Sequence, residues 1–233
     1  MRSKYLLEIS VESVGAAVAA ERGGASRIEL CANLQVGGVT PSRDLLRVVR
    51  VRVRAPMFSM VRPRGGDFFY SEAEFALMQR GIEAAQALGM DGVVFGLLTE
   101  DGRIDMARTK QLVELARPLP VTFHRAFDEC SQDLREAVEY VIETGATRLL
   151  TSGGKRTAPE ALDLIAELVR IAGERLIVMP GSGLHAGNIR EVVGKTAARE
   201  FHAGLSSVAS SVSGNISAFE AEVRRMAEAL RNV

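Results

Sequence analysis

The sequence predicts a single-domain α/β protein, a (β/α)8 barrel, and three observations carry that prediction. Eight short runs rich in Val, Ile, Leu and Phe alternate with longer amphipathic stretches, the pattern of βαβ units that build a parallel sheet. A turn sequence recurs: Gly24-Ala25-Ser26-Arg27, Gly89-Met90-Asp91-Gly92, Gly145-Ala146-Thr147-Arg148 and Thr196-Ala197-Ala198-Arg199 lead into the second, fourth, sixth and eighth runs. The length of 233 residues suits one barrel, and no GxGxxG follows the first run, which argues against an open dinucleotide-binding sheet.

The strands are expected at 6–10, 27–31, 57–62, 92–97, 121–125, 148–152, 176–180 and 199–203. Between them the helices have legible starts. Ser13 precedes a helix over 14–22, and Pro41-Ser42 precedes one over 45–51. Ser71 with Glu74 three residues on forms a capping box for a helix running to Leu88. Asp105, Asp133 and Thr157 are read as N-caps of helices ending at Ala116, Thr144 and Ala172. A short helix over 188–195 and a last one over 217–230 complete the count, with 1–233 read as one domain. In the first three recurring turns, glycine is expected in the left-handed conformation that ends a helix before a strand.

Composition narrows the function. Twenty-nine basic and 29 acidic residues give no net charge, so the sequence carries no electrostatic footprint for nucleic acid. Glu8 breaks the first apolar run, no window approaches a membrane span, and no secretory leader is read; no membrane partner and a cytoplasmic location are expected. The two cysteines, Cys31 and Cys130, form no CxxC clip and no disulfide framework. No organic-cofactor motif is present. The only lysines are Lys4, Lys110, Lys155 and Lys195, and none falls in a strand, which disfavours imine chemistry.

Barrels carry their functional groups at the C-terminal ends of the strands. Polar residues inside a buried strand need a partner or a solvated site. Glu8, Glu29, Arg62, His124 and His202 are such residues, and with inward-facing side chains they converge on one pocket as candidate catalytic groups. Taken singly, each carboxylate reads equally well as half of a structural ion pair, and each histidine as a hydrogen-bonded rim residue. Ser152 and Gly153 after the sixth strand, and Gly181, Ser182 and Gly183 after the seventh, are candidate anion-binding turns, since glycine lets backbone N–H groups approach a phosphate. The bland alternative is that these glycines only make tight turns.

Several blocks together resemble the CutC family. They are Glu29-Leu30-Cys31-Ala32-Asn33 running into Gly37-Gly38-Val39-Thr40-Pro41, Met60-Val61-Arg62-Pro63-Arg64-Gly65-Gly66-Asp67, Thr122-Phe123-His124-Arg125-Ala126-Phe127-Asp128, Leu150-Thr151-Ser152-Gly153 and Met179-Pro180-Gly181-Ser182-Gly183. The resemblance implies a (β/α)8 barrel, a cytoplasmic location, homo-oligomeric assembly and a role in copper homeostasis with copper binding. Cys31 is the candidate metal ligand within a matching block, because Cu(I) favours thiolate; a free buried cysteine is also often only a small hydrophobe. Two function classes stay open. One is copper handling, with copper ion as the partner. The other is an isomerase, epimerase or lyase acting on a small phosphorylated or carboxylated metabolite at the barrel mouth. In the second, Glu29 or Glu8 is the base, His124 an acid or electrophile, and Arg62 the anion clamp. A purely structural protein is a third reading, and it predicts a filled, dry mouth.

Overall fold

The computed structural model describes residues 4–205 and 215–233. Its strands are β1 (Leu6–Val11), β2 (Arg27–Leu30), β3 (Met57–Met60), β4 (Gly92–Phe95), β5 (Val121–Phe123), β6 (Arg148–Thr151), β7 (Ile177–Pro180) and β8 (Glu200–Ala203). They alternate with α1 (Val14–Gly23), α2 (Arg43–Arg52), α3 (Glu72–Ala87), α4 (Met106–Ala116), α5 (Leu134–Glu143), α6 (Leu162–Ala172), α7 (Ile189–Thr196) and α8 (Ile216–Arg231). Every ladder is parallel, in the order β7-β6-β5-β4-β3-β2-β1-β8. β7 packs beside β8, bringing the ends of the sheet together as a nearly closed (β/α)8 barrel. No helix among the described residues is long and apolar enough to cross a membrane.

The helix starts follow from side-chain oxygens that accept otherwise unpaired N–H groups. Ser13 accepts from Ala16 N, Ser42 from Leu45 N, Asp105 from Arg108 N and Asp133 from Arg135 N. Ser71 and Glu74 form the full reciprocal capping box. One cap differs. Thr157 opens a short 3-10 turn, Ala158–Ala161, and its hydroxyl donates to Glu160 instead of accepting a backbone N–H, so α6 begins only at Leu162. Gly24, Gly89 and Gly145 all take positive φ, as the repeat requires; in the fourth copy Thr196 is still helical and the left-handed residue falls one position later, at Ala197, φ 56°.

Strand alternation separates two interiors. Leu7, Ile9, Ile28, Leu30, Val93, Phe123, Leu149 and Phe201 face the helices and form the continuous apolar core. The opposite faces fill the barrel, and there Cys31, Phe58, Met60 and Val94 form a separate apolar cluster. Around it stand buried charges. The Phe58 ring lies beneath two guanidinium groups, Arg27 at 4.7 Å and Arg148 at 5.2 Å. Both arginines donate to Glu200 at 2.7 Å. Such a plug works because a guanidinium keeps its edge donors on a carboxylate while its face covers a ring.

Gly92 is Phe58's partner in the ladder register, and a Cβ there would lie 2.5 Å from the ring. Gly92→Ala is therefore expected to destabilise the fold by about 1–3 kcal/mol through overpacking of the barrel floor. Urea denaturation checks this; an unchanged midpoint would mean that the plug can shift freely.

Candidate functional site

The ladder register builds the site. Glu8 on β1 stands opposite Arg27 on β2 and His202 on β8, while Ser10 stands opposite Glu29. Backbone pairing thus places an arginine on one side of Glu8 and an imidazole on the other, one pleat below Glu29. Glu8 is fully buried and accepts from Arg27 Nε. Its other oxygen lies 2.8 Å from His202 Nδ1. His202 Nε2 lies 3.7 Å from Glu29 Oε2. That same oxygen receives the Cys31 thiol at 3.5 Å, and Glu29 Oε1 is buried with no hydrogen-bond partner among the described residues.

The electrostatics follow from this order. Burial opposes charge on Glu8, but Arg27 and the hydrogen bonds from His202 and Arg27 outweigh it, holding the carboxyl at about 2. Glu29 has no comparable partner. Burial raises its pKa, the nearby Glu8 charge adds to the rise, and His202 offsets only part of it. On His202 burial disfavours the imidazolium, yet Glu29 and Glu8 prevail and raise its pKa. The row thus reads fixed anion, imidazole that holds its proton tightly, and carboxyl that gives up its proton reluctantly. Glu8, Glu29 and His202 also place one ligand atom each within 4.8 Å of one another, a group able to hold a cation.

Above this row opens a cavity of about 400 Å³, within the range of small-molecule sites. Glu29, His202, His124, Arg62, Ser10 and Met60 line it. Four of the five sequence-predicted catalytic residues therefore meet at the cavity, and Glu8 lies directly beneath, behind His202. The mouth is neither filled nor apolar.

His124 and Arg62 have settings the sequence does not disclose. His124 Nδ1 accepts the Ala126 N–H at 3.2 Å, and Nε2 is buried without a partner among the described residues. Burial, with Arg62 and Arg125 nearby, holds its pKa down at about 3, so this imidazole is neutral. Arg62 donates from Nη1 to Val36 and Gly38 carbonyls and from Nη2 to the Gly66 carbonyl, with its face 4.6 Å from the Phe68 ring. It ties the β2 and β3 loops together. Nε is without a partner among the described residues, and the expected anion clamp has both terminal nitrogens engaged by backbone.

The anion-binding turns divide in the same way. Ser182 and Gly183 line the cavity. Ser152 and Gly153 are not among its lining residues, because their loop already encloses an anion, the carboxylate of Asp128. Asp128 accepts from Ser152 N, Gly154 N and the hydroxyls of Thr151 and Ser152. Gly153 N donates to Thr151 Oγ1 and Gly181 N to the Thr151 carbonyl. Cys31 is completely buried and does not line the cavity; burial and the adjacent Glu29 push its thiol well above the usual range.

Arg125 and Glu129 also line the cavity, and sequence reasoning did not select them. Period-two alternation turns Arg125 away from His124's face. β5 instead ends at Phe123, and a 3-10 turn over Arg125–Glu129, capped by His124, swings both side chains to the mouth. A short strand followed by Asp128 is a turn signal that could have found them. Arg125 is held by Asp128 and Ser152, and its side chain remains 40% exposed.

The Glu8 charge fixes an acid limit to stability. Glu8 binds its proton more weakly in the folded chain, at about 2, than at its ordinary 4.5. Its stabilisation is thus present above about pH 4.5 and lost as pH falls toward 2. Glu8→Gln should flatten that acid limb and cost about 3 kcal/mol at neutral pH, since Arg27 loses a buried partner. Denaturation midpoints of both proteins across this pH range check it; parallel curves would assign the acid limb to other carboxylates.

The comparisons with known proteins agree with the resemblance read from the sequence. The model of the CutC family matches residues 5–207. The copper homeostasis protein cutC homolog of Mus musculus is 50% identical over 198 residues, covering 85% of this chain and 72% of that protein. A family protein CutC of Chromobacterium violaceum is 49% identical over 198 residues, covering 85% of this chain and 80% of the other. A solved CutC structure from Streptococcus agalactiae superimposes with a TM-score of 0.80 at 31% identity, covering 85% of this chain and 98% of that one. A match this long, at this identity and with the barrel in common, makes the chain a member of the CutC family.

Proposed function

We propose that this barrel is an acid–base enzyme of the isomerase, epimerase or lyase type, acting on a small carboxylated or phosphorylated metabolite. One observation carries the reading. Glu29, on the lining of a 400 Å³ cavity, is a buried carboxyl with one oxygen that has no partner among the described residues, and beside it stands an imidazole oriented from behind by Glu8. A general base works best when its pKa is raised toward the working pH, and the shift on Glu29 has that direction. A group oriented by a second carboxylate is also the arrangement in which an imidazole transfers protons from one fixed nitrogen. In this reading Glu29 takes or returns a proton, His202 is its partner, and Glu8 keeps the Nδ1 proton in place. Arg125, at the rim, is better placed than Arg62 to meet an anionic substituent. A cytoplasmic location and a homo-oligomeric assembly belong to the same reading.

A second reading, copper handling, is favoured by the names of the relatives and by one structural fact: Cys31 and Met60, two soft donors, share the cluster inside the barrel. The remaining donors fit Cu(I) less well. Glu8, Glu29 and His202 offer two hard oxygens and one nitrogen, Arg27 sets a fixed cation against Glu8, and the Cys31 proton is held tightly. Copper would enter here as cargo, with Cys31 as its first ligand.

Two measurements separate the readings. A thermal-shift screen of phosphorylated and carboxylated metabolites should find concentration-dependent stabilisation by mass action. With such a compound as substrate, Glu29→Gln should lower kcat by about a hundredfold or more while binding persists; full turnover in that variant would remove Glu29 as the base. Titration of Cu(I) against a competing chelator should show little difference between the wild type and Cys31→Ser. A large loss of affinity in the variant would instead favour the copper reading.

A further inference from the structure

The geometry points to His124 Nε2 as a dedicated neutral hydrogen-bond donor for a substrate carbonyl oxygen, which makes the substrate a small carbonyl compound with an acidic adjacent C–H. This inference rests on the acid–base reading and narrows it to one substrate class.

The tautomer is fixed by the backbone. Ala126 N–H can only donate, and it is directed at Nδ1 at 3.2 Å, so Nδ1 is an acceptor and carries no proton. The proton of the neutral ring must then be on Nε2. The turn Arg125–Glu129 that supplies the Ala126 N–H begins at His124 itself, so the strand end that delivers the imidazole also sets its protonation. There is no room for the ring to rearrange. A Cβ on Gly96 would sit 2.6 Å from Nδ1, and the Phe68 ring packs on the imidazole with centroids 4.9 Å apart. Arg62 and Arg125, the cations near the ring, both oppose a second proton.

Nε2–H is buried and has no acceptor among the described residues, in a side chain that lines the cavity. Leaving a buried donor unpaired costs about 1–3 kcal/mol, and a site tolerates that where a ligand supplies the acceptor. A neutral imidazole donates without bringing a charge that would bind every anion alike. It favours an oxygen whose negative charge grows during reaction.

The step balances without an oxidant or cofactor. Glu29 accepts the proton as the C–H bond breaks, that electron pair forms the C=C bond, and the carbonyl π pair moves onto oxygen, where His124 Nε2–H receives it. Where the C–H carbon carries a hydroxyl, that hydroxyl proton passes to the enolate oxygen, the Glu29–His202 pair returns the carbon-derived proton to the former carbonyl carbon, and the oxygen left on the first carbon becomes the new carbonyl, which completes an isomerisation.

The test uses the whole 233-residue chain and oxalate, a dianion resembling an enediolate. Long-range 15N–1H NMR of 15N-histidine protein, with His124 assigned through His124→Gln, should show protonated Nε2 and bare Nδ1 throughout the pH range of stable folding. Oxalate should move the His124 Nε2–H resonance, and His124→Ala should weaken oxalate binding about tenfold to a hundredfold. His124→Gln, which keeps an N–H donor, should recover part of the loss. The opposite tautomer, absence of oxalate binding, or oxalate affinity indifferent to His124→Ala would each overturn the inference. These readouts need no turnover, so full activity in Glu29→Gln would sink the acid–base reading while leaving the His124 result to be judged separately.

Discussion

The burial of Glu8 is the constraint on which the rest of this barrel depends. An isolated carboxylate in that position would be prohibitively unfavourable, and the fold answers by register, pairing β1 with β2 at Arg27 and with β8 at His202. Arg27 in turn reaches Glu200, which draws in Arg148, and both guanidinium groups settle on Phe58. A packed apolar interior would serve stability as well or better, since buried ion pairs roughly offset their own desolvation. What the network provides is position. With Glu8 fixed as an anion, the His202 ring cannot turn, and Nε2 is left directed toward Glu29 and the cavity.

The loops around the mouth follow a complementary logic. In barrels the late turns commonly present backbone N–H groups to a phosphate, and the sequence after β6 has the glycines for that. Here the donors are satisfied from within, by Asp128 from the β5 turn. Arg62 is likewise engaged by three carbonyls. Groups that look like ligand binders in one dimension are thus fasteners in three, holding the β2, β3, β5 and β6 loops at fixed distances around the cavity. Ser182, Gly183 and the half-exposed Arg125 remain to face what enters.

How much of this was legible in the sequence depends on whether the signal is local. All eight strands and most helix starts were readable, because side-chain period, N-cap oxygens and helix-ending glycines act within a few residues. Thr157 failed as a cap because Glu160, three residues on, captured its hydroxyl. Glu8, Glu29, His124 and His202 were readable as residues that gather at or beneath the cavity, because a polar side chain in a buried strand needs a destination. Their roles were not. The difference between a donor-rich Arg62 and one engaged by backbone lies in the path of loops 34–38 and 63–67, and the difference between an outward and a mouth-facing Arg125 lies in β5 ending two residues early. Neither is encoded in residue type.

In the proposed acid–base reading the two cavity histidines divide the work between them. His202 stands between two carboxylates and holds its proton tightly; His124 accepts a backbone N–H, lies near two arginines and stays neutral. Opposite tuning of like groups in one enclosure is what a reaction needs when one must exchange protons and the other must only donate a hydrogen bond. A Cu(I) carrier has no use for that contrast. It needs thiolate and thioether donors reachable by the ion, whereas Cys31 lies off the cavity with its thiol hydrogen directed at Glu29. The strongest role the geometry gives that thiol is as a weak donor holding Glu29 Oε2, while Oε1 has no partner among the described residues.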